Sequence, residues 1–147
     1  MAVENKAIMT AHGKARLNRY GDLIAYCNHL HNHQQNTIAA AIVIVNCSPA
    51  YENPDVFARG LVRPRFDMSK IVKDTVKIFG DVPLRRSSDE PDDQPEALAV
   101  IVLDYDGKNP SKLVSSDLAP QPGNPIHYDS FVRRICDLYC ARFGNRR

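Results

Sequence analysis

The sequence predicts an α/β fold: layers in the order β-α-β-α-β-α around a mostly parallel, mixed sheet. Two observations predict it. The runs "TIAAAIVIVN" (37–46) and "ALAVIVLDYDG" (97–107) are apolar at nearly every position, as strands covered on both faces are. Between them, and before and after them, lie segments whose apolar residues recur every three or four positions, as on one side of a helix. Strands separated by helices pair in parallel through right-handed crossovers, which gives the layered architecture.

Each element follows in order. Ala2–Met9 reads as a short strand, and "TAHG" after it as a turn. A helix is expected over 14–33, with Leu17, Tyr20, Leu23, Ile24, Cys27 and Leu30 on one stripe. Gly21 inside it costs about 1 kcal/mol against alanine. The strand 37–46 follows, and then a proline-bearing loop, 48–66, that carries Arg59, Arg63 and Arg65. Asp67 or Ser69 suits the cap of a second helix. Its inner face would hold Met68, Ile71, Val72, Thr75, Val76 and Phe79, and Gly80 would end it. "LRRSSDEPDDQPE" is charged and aperiodic and reads as a solvated loop. After the strand 97–107 a second loop runs to a last helix, 128–142, with Phe131, Val132, Ile135, Leu138 and Tyr139 inward.

Composition narrows the classes. At 147 residues, 44% hydrophobic and 24% charged, the chain is expected to form one domain with a real core. A net charge of +2 is too small to argue for nucleic acid by itself. The longest apolar run, "TIAAAIVIVNC", is far short of the roughly 18 residues of a membrane span. Glu4 and Lys6 precede any apolar region, so no secretory leader is expected. Cys27, Cys47, Cys136 and Cys140 form no CxxC pair, so reduced thiols in a cytoplasmic protein are expected.

The first strand poses the chemical question. Side chains two apart on a strand share a face, so Glu4 and Lys6 stand side by side. A carboxylate beside a lysine suits metal-assisted phosphodiester cleavage. The acid binds a divalent cation, and the lysine orients the attacking water and steadies the developing charge. The same pair also suits an edge strand carrying a solvated ion pair.

"VENKA", followed by a helix and then "TIAAAIVIVN", resembles the E-x-K half of the PD-(D/E)xK, or restriction-endonuclease-like, nuclease superfamily. The likeness covers about the first 47 residues. It implies Glu4 as a catalytic metal ligand, Lys6 as the catalytic water-orienting base, and Mg²⁺ as cofactor. It implies DNA as partner, with His12, Lys14, Arg16 and Arg19 placed to reach it. The family's first acid lies on a strand upstream of E-x-K, and only three residues precede Glu4. The expected core therefore lacks its N-terminal elements. Three outcomes follow: a C-terminal part of a longer nuclease, a site completed by another chain, or a scaffold without the chemistry. An α/β interaction protein or partner subunit is the alternative function. A homodimer or partner chain is expected to complete the sheet edge.

Other features point to chemistry less directly. Asp104 and Asp106 could supply a second acid, though acids before Gly107 also suit a turn. In "HLHNH", His29 with His33 and Cys27 with His31 fall at i, i+4, a usable zinc spacing without an evident third ligand. Cys136 and Cys140 are i, i+4 on the last helix, and one of them is expected to pack in the core as a small hydrophobe. The arginines of "ARGLVRPRF" and "ARFGNRR" could meet phosphates. No phosphate-loop, dinucleotide-binding or nucleophile-elbow motif is present.

Overall fold

The computed structural model describes residues 1–51 and 67–144. Its elements are β1 (Ala2–Ile8), α1 (His12–His33), β2 (Ala39–Asn46), α2 (Met68–Gly80), β3 (Ala97–Asp104), β4 (Lys112–Leu113) and α3 (Tyr128–Phe143). The sheet order is β1-β2-β3-β4, with the first three strands parallel and β4 antiparallel to β3. The strand β4 lies in a segment that reads as loop. Two residues are too few to show a period, and only pairing with Leu103 and Asp104 makes them a strand. The arginines at 59, 63 and 65 and those at 146 and 147 lie outside the described residues.

Two layers of side chains hold the sheet. On one face Leu23 and Cys27 of α1 and Val72 and Phe79 of α2 pack against Ile8, Val43, Val45, Leu98, Val100 and Val102. On the other, Phe131 and Ile135 of α3 sit over Ala40, Ala97 and Ala99. The alanines remove bulk where α3 approaches. Asp67 caps α2 by accepting a hydrogen bond from the Lys70 N–H at 3.1 Å.

The amphipathic stripes of α1 and α3 are narrower than their spacing suggests. Leu17 is 62% and Tyr20 37% exposed. The helix α1 is rolled toward β1, where Asp22 meets Lys6 and is itself held by Arg19, and this turns Leu17 and Tyr20 outward. On α3 only Phe131 is buried, while Val132 and Tyr139 are exposed, because the alanine strip offers little width to cover.

The segment 84–96 is not simply solvated either. Arg85 and Glu96 are both buried. The Glu96 carboxylate accepts the Ala39 N–H at 2.8 Å, pairs with Arg142 of α3, and lies 3.5 Å from Nε2 of buried His31. Arg85 donates to Asp92 and to the carbonyls of Ser88 and Glu90. Charges that look solvent-bound in sequence are here paired with one another.

Entry into α1 is strained. Ala11 has φ 50° and ψ 40°, and no side chain caps this helix. A left-handed conformation costs a non-glycine residue about 1–2 kcal/mol. Ala11→Gly is therefore expected to stabilise the fold by about 1 kcal/mol, raising the melting temperature by roughly 2–4 °C in a thermal melt.

Candidate functional site: an acid–lysine pair on an edge strand

The alternation along β1 sorts its side chains. Glu4, Lys6 and Ile8 face α1, whereas Val3, Asn5 and Ala7 face the other side and are exposed. Ile8 is fully buried and anchors the strand. Glu4 and Lys6 stay half-buried, with side-chain exposures of 28% and 20%. The Lys6 ammonium lies 2.5 Å from Glu4 Oε1 and 3.6 Å from Asp22 Oδ2. Arg19 closes the group at 2.8 Å from the same Asp22 oxygen, and its Nε reaches the Ala7 carbonyl at 3.5 Å.

Four charges thus alternate in sign around Lys6. The hydrogen bond to Glu4 raises the lysine pKa above its ordinary value, outweighing burial. The hydrogen bond from Arg19 lowers that of Asp22. Tyr26, one turn beyond Asp22, has its hydroxyl buried without a hydrogen-bond partner. Burial chiefly, then Cys27 and Glu4, pushes its pKa up to about 12. The hydroxyl therefore stays protonated. Cys27 is likewise pushed up to about 12 by burial and stays a thiol.

Asp22 is the member that the sequence did not single out, because it joins the group only through the way α1 is turned toward β1.

The other expected site residues are scattered. His12 is 7% exposed, and its Nε2 donates to the Asn46 carbonyl at 2.7 Å, tying the start of α1 to the end of β2. Lys14 is exposed. Arg16 lies 3.9 Å from Asp74 of α2, with its Nε buried and unpartnered. Of the four, Arg19 alone joins the Glu4–Lys6 group.

Asp104 does not reach that group. Glu4 is in register with Ala41 and Leu98, so Asp104 lies two strands away and six residues further along. At about 3.3 Å per residue that is about 20 Å along the sheet. Asp106 instead accepts the N–H groups of Asn109 and Lys108 and the Asn109 side chain, and these bonds hold its pKa at about 2. Among the histidines, His31 Nδ1 donates to the Asp92 carbonyl, and the His29 and His33 rings pack 4.6 Å apart. Neither Cys136 nor Cys140 packs in the core: both are exposed on α3, whose buried residue is Phe131.

Among the described residues no cluster of three His, Cys, Asp or Glu side chains is arranged to hold a metal ion. For Mg²⁺ the donor types nonetheless fit, because Glu4 and Asp22 are two hard carboxylates facing one cation, the Lys6 ammonium. Such sites use one or two carboxylates and complete the shell with water and substrate phosphates. A groove of about 450 Å³ beside Arg86, Arg133 and Arg134 lies on the α3 side. It shares no residue with this group, and Arg134 there is spent on the Glu96 and Arg85 carbonyls.

Comparison with protein-family models, curated proteins and solved structures gives no match. Among the described residues no helix is long and apolar enough to cross a membrane.

The burial of His12 has a consequence for stability. Desolvation lowers its pKa from the ordinary 6.5, against the opposing pull of the Asn46 carbonyl. The unfolded chain therefore takes up this proton at higher pH than the folded one. Stability should fall as pH drops below 6.5, with a slope of at most about 1.4 kcal/mol per pH unit. Melting temperatures between pH 7.5 and 5.5 should show this decline, and His12→Gln should flatten it.

Proposed function

We propose that the chain carries the acid–lysine half of a Mg²⁺-dependent deoxyribonuclease site of the restriction-endonuclease-like type. One observation carries the reading. Glu4 and Lys6 share the α1-facing side of β1, and Asp22 brings a second carboxylate to the same ammonium. Glu4 would hold the metal ion, with Asp22 as the second oxygen donor. The ion, when bound, supplies charge stabilisation for phosphodiester hydrolysis. Lys6 would orient the attacking water and place its positive charge by the phosphate. Lys14 would meet the DNA backbone, and Arg19 would do so once released from Asp22. This reading makes the protein part of a cytoplasmic DNA-cutting system.

A second reading rests on the same four charges. They already satisfy one another, as an ion-pair network that finishes a sheet edge would. The chain would then be an interaction scaffold or partner subunit.

Plasmid cleavage with Mg²⁺ or Mn²⁺, for the wild type and Glu4→Gln, separates the two. Slow nicking that disappears in the variant supports the nuclease. No cleavage at any metal concentration, or cleavage indifferent to Glu4, favours the scaffold.

A further inference from the structure

The sheet ends differently on its two sides. Beyond β3, the strand β4 and the Ile126 carbonyl take up the outward backbone groups, with Val114 and Val100 as donors. Beyond β1 no strand pairs among the described residues. The Ala2 N–H donates inward to Ile38, so along this parallel pair the even residues bond to β2. Val3, Asn5 and Ala7 therefore direct their N–H and C=O groups outward. An edge of this kind is a template for another strand.

We propose that the occupant is a second copy of the same strand, paired antiparallel about a two-fold axis through Asn5. Charge selects this register. Centred on Asn5, Glu4 faces the partner subunit's Lys6 and Lys6 faces the partner subunit's Glu4. Both fall in non-hydrogen-bonded pairs, where Cα atoms are about 4.5 Å apart and side chains meet most closely. Centring on Glu4 would set the two Glu4 side chains opposite each other, and centring on Lys6 would oppose two lysines. Like charges directly opposite are destabilising.

Backbone directions agree with the same register. Asn5 pairs with its own copy, and Val3 pairs with the partner's Ala7, as hydrogen-bonded pairs. All three residues point outward. On the face away from α1 this covers Val3, which is 38% exposed, and exposed Ala7. The Arg19 contact to the Ala7 carbonyl, long at 3.5 Å, gives way to the partner's Val3 N–H.

The pairing stands apart from the nuclease reading, but its consequence for the site rests on that reading. The two Glu4 residues become diagonal neighbours on one face, about 7–8 Å apart. The second copy thus contributes a carboxylate to a site that holds one glutamate in a single chain.

Sedimentation equilibrium across the micromolar range tests the pairing without reference to cleavage. The wild type should be dimeric. Asn5→Pro removes the central outward N–H while sparing the β2 ladder, and should be monomeric with unchanged far-ultraviolet circular dichroism. Glu4→Lys and Lys6→Glu, each alone, oppose like charges twice across the axis and should weaken the dimer about tenfold. Mixed together, these two variants should form a heterodimer, because each then faces its opposite. A monomeric wild type overturns the proposal. So does a dimer that survives Asn5→Pro, or one whose charge variants fail to recover on mixing. If Asn5→Pro does not fold, the charge variants still decide the matter.

Discussion

Lys6→Ala is expected to reduce metal-dependent cleavage by about 10²-fold or more while tightening Mg²⁺ binding. The two effects have one cause. The ammonium lies between Glu4 and Asp22, so in the free protein it neutralises the carboxylates that a metal ion would use. Removing it leaves two acids and one cation, Arg19, and raises the attraction for a divalent ion. On the nuclease reading it also removes the group that would orient the attacking water. Glu4→Ala should act differently, abolishing cleavage and weakening the metal together. Neither change should unfold the protein. The pair is a fifth to a quarter exposed, and such ion pairs contribute at most about 1 kcal/mol. Titration calorimetry with Mg²⁺, plasmid cleavage and thermal melts form the set of measurements. Weaker Mg²⁺ binding in Lys6→Ala would count against the ammonium as the stand-in for a metal. Melts lowered by many degrees would show that the pair is structural.

Glu96→Ala is expected to destabilise the fold by about 3 kcal/mol, lowering the melting temperature by about 10 °C. This carboxylate is 4% exposed and joins three elements: the Ala39 N–H opening β2, Arg142 near the end of α3, and His31 near the end of α1. Truncation leaves the Ala39 N–H and the His31 Nε2 without their acidic neighbour in the interior. Arg142 is a quarter exposed and can turn to water, which keeps the loss below that of a fully sealed pair. Glu96→Gln keeps an acceptor for Ala39 and should cost less. Burial works to raise the Glu96 pKa, but Arg142 and the Ala39 N–H more than reverse it, and the net shift is downward from 4.5. A lowered carboxylate pKa stabilises above the unfolded value and ceases to do so as pH falls through the folded one. The stability difference between wild type and Glu96→Gln should therefore shrink as pH is taken from 5 toward 3. A difference constant over that range would show that shape, not charge, holds the network.

The sequence by itself determined the layered α/β plan. The nearly continuous apolar runs 37–46 and 97–107 read as strands covered on both faces, and the helical spacings between them favoured parallel crossovers; the second strand ends earlier, at Asp104. It also determined that Glu4 and Lys6 are neighbours, because period two along a strand is a local property. That a cap stands at Asp67 or Ser69 was legible for the same reason, and the structure takes Asp67. What lay beyond it was long-range. The roll of α1 about its axis put Asp22 on Lys6 and Leu17 in water, and no spacing within α1 encodes that roll. Strand β4 exists only through its neighbour. The charged run ending in Glu96 reads as solvated, because each residue there, taken alone, would prefer water. Its partners His31 and Arg142 are 65 and 46 residues away in sequence. Only the tertiary structure brings those charges together, and an ion pair inside a protein is favourable only when both members arrive with their hydrogen bonds satisfied.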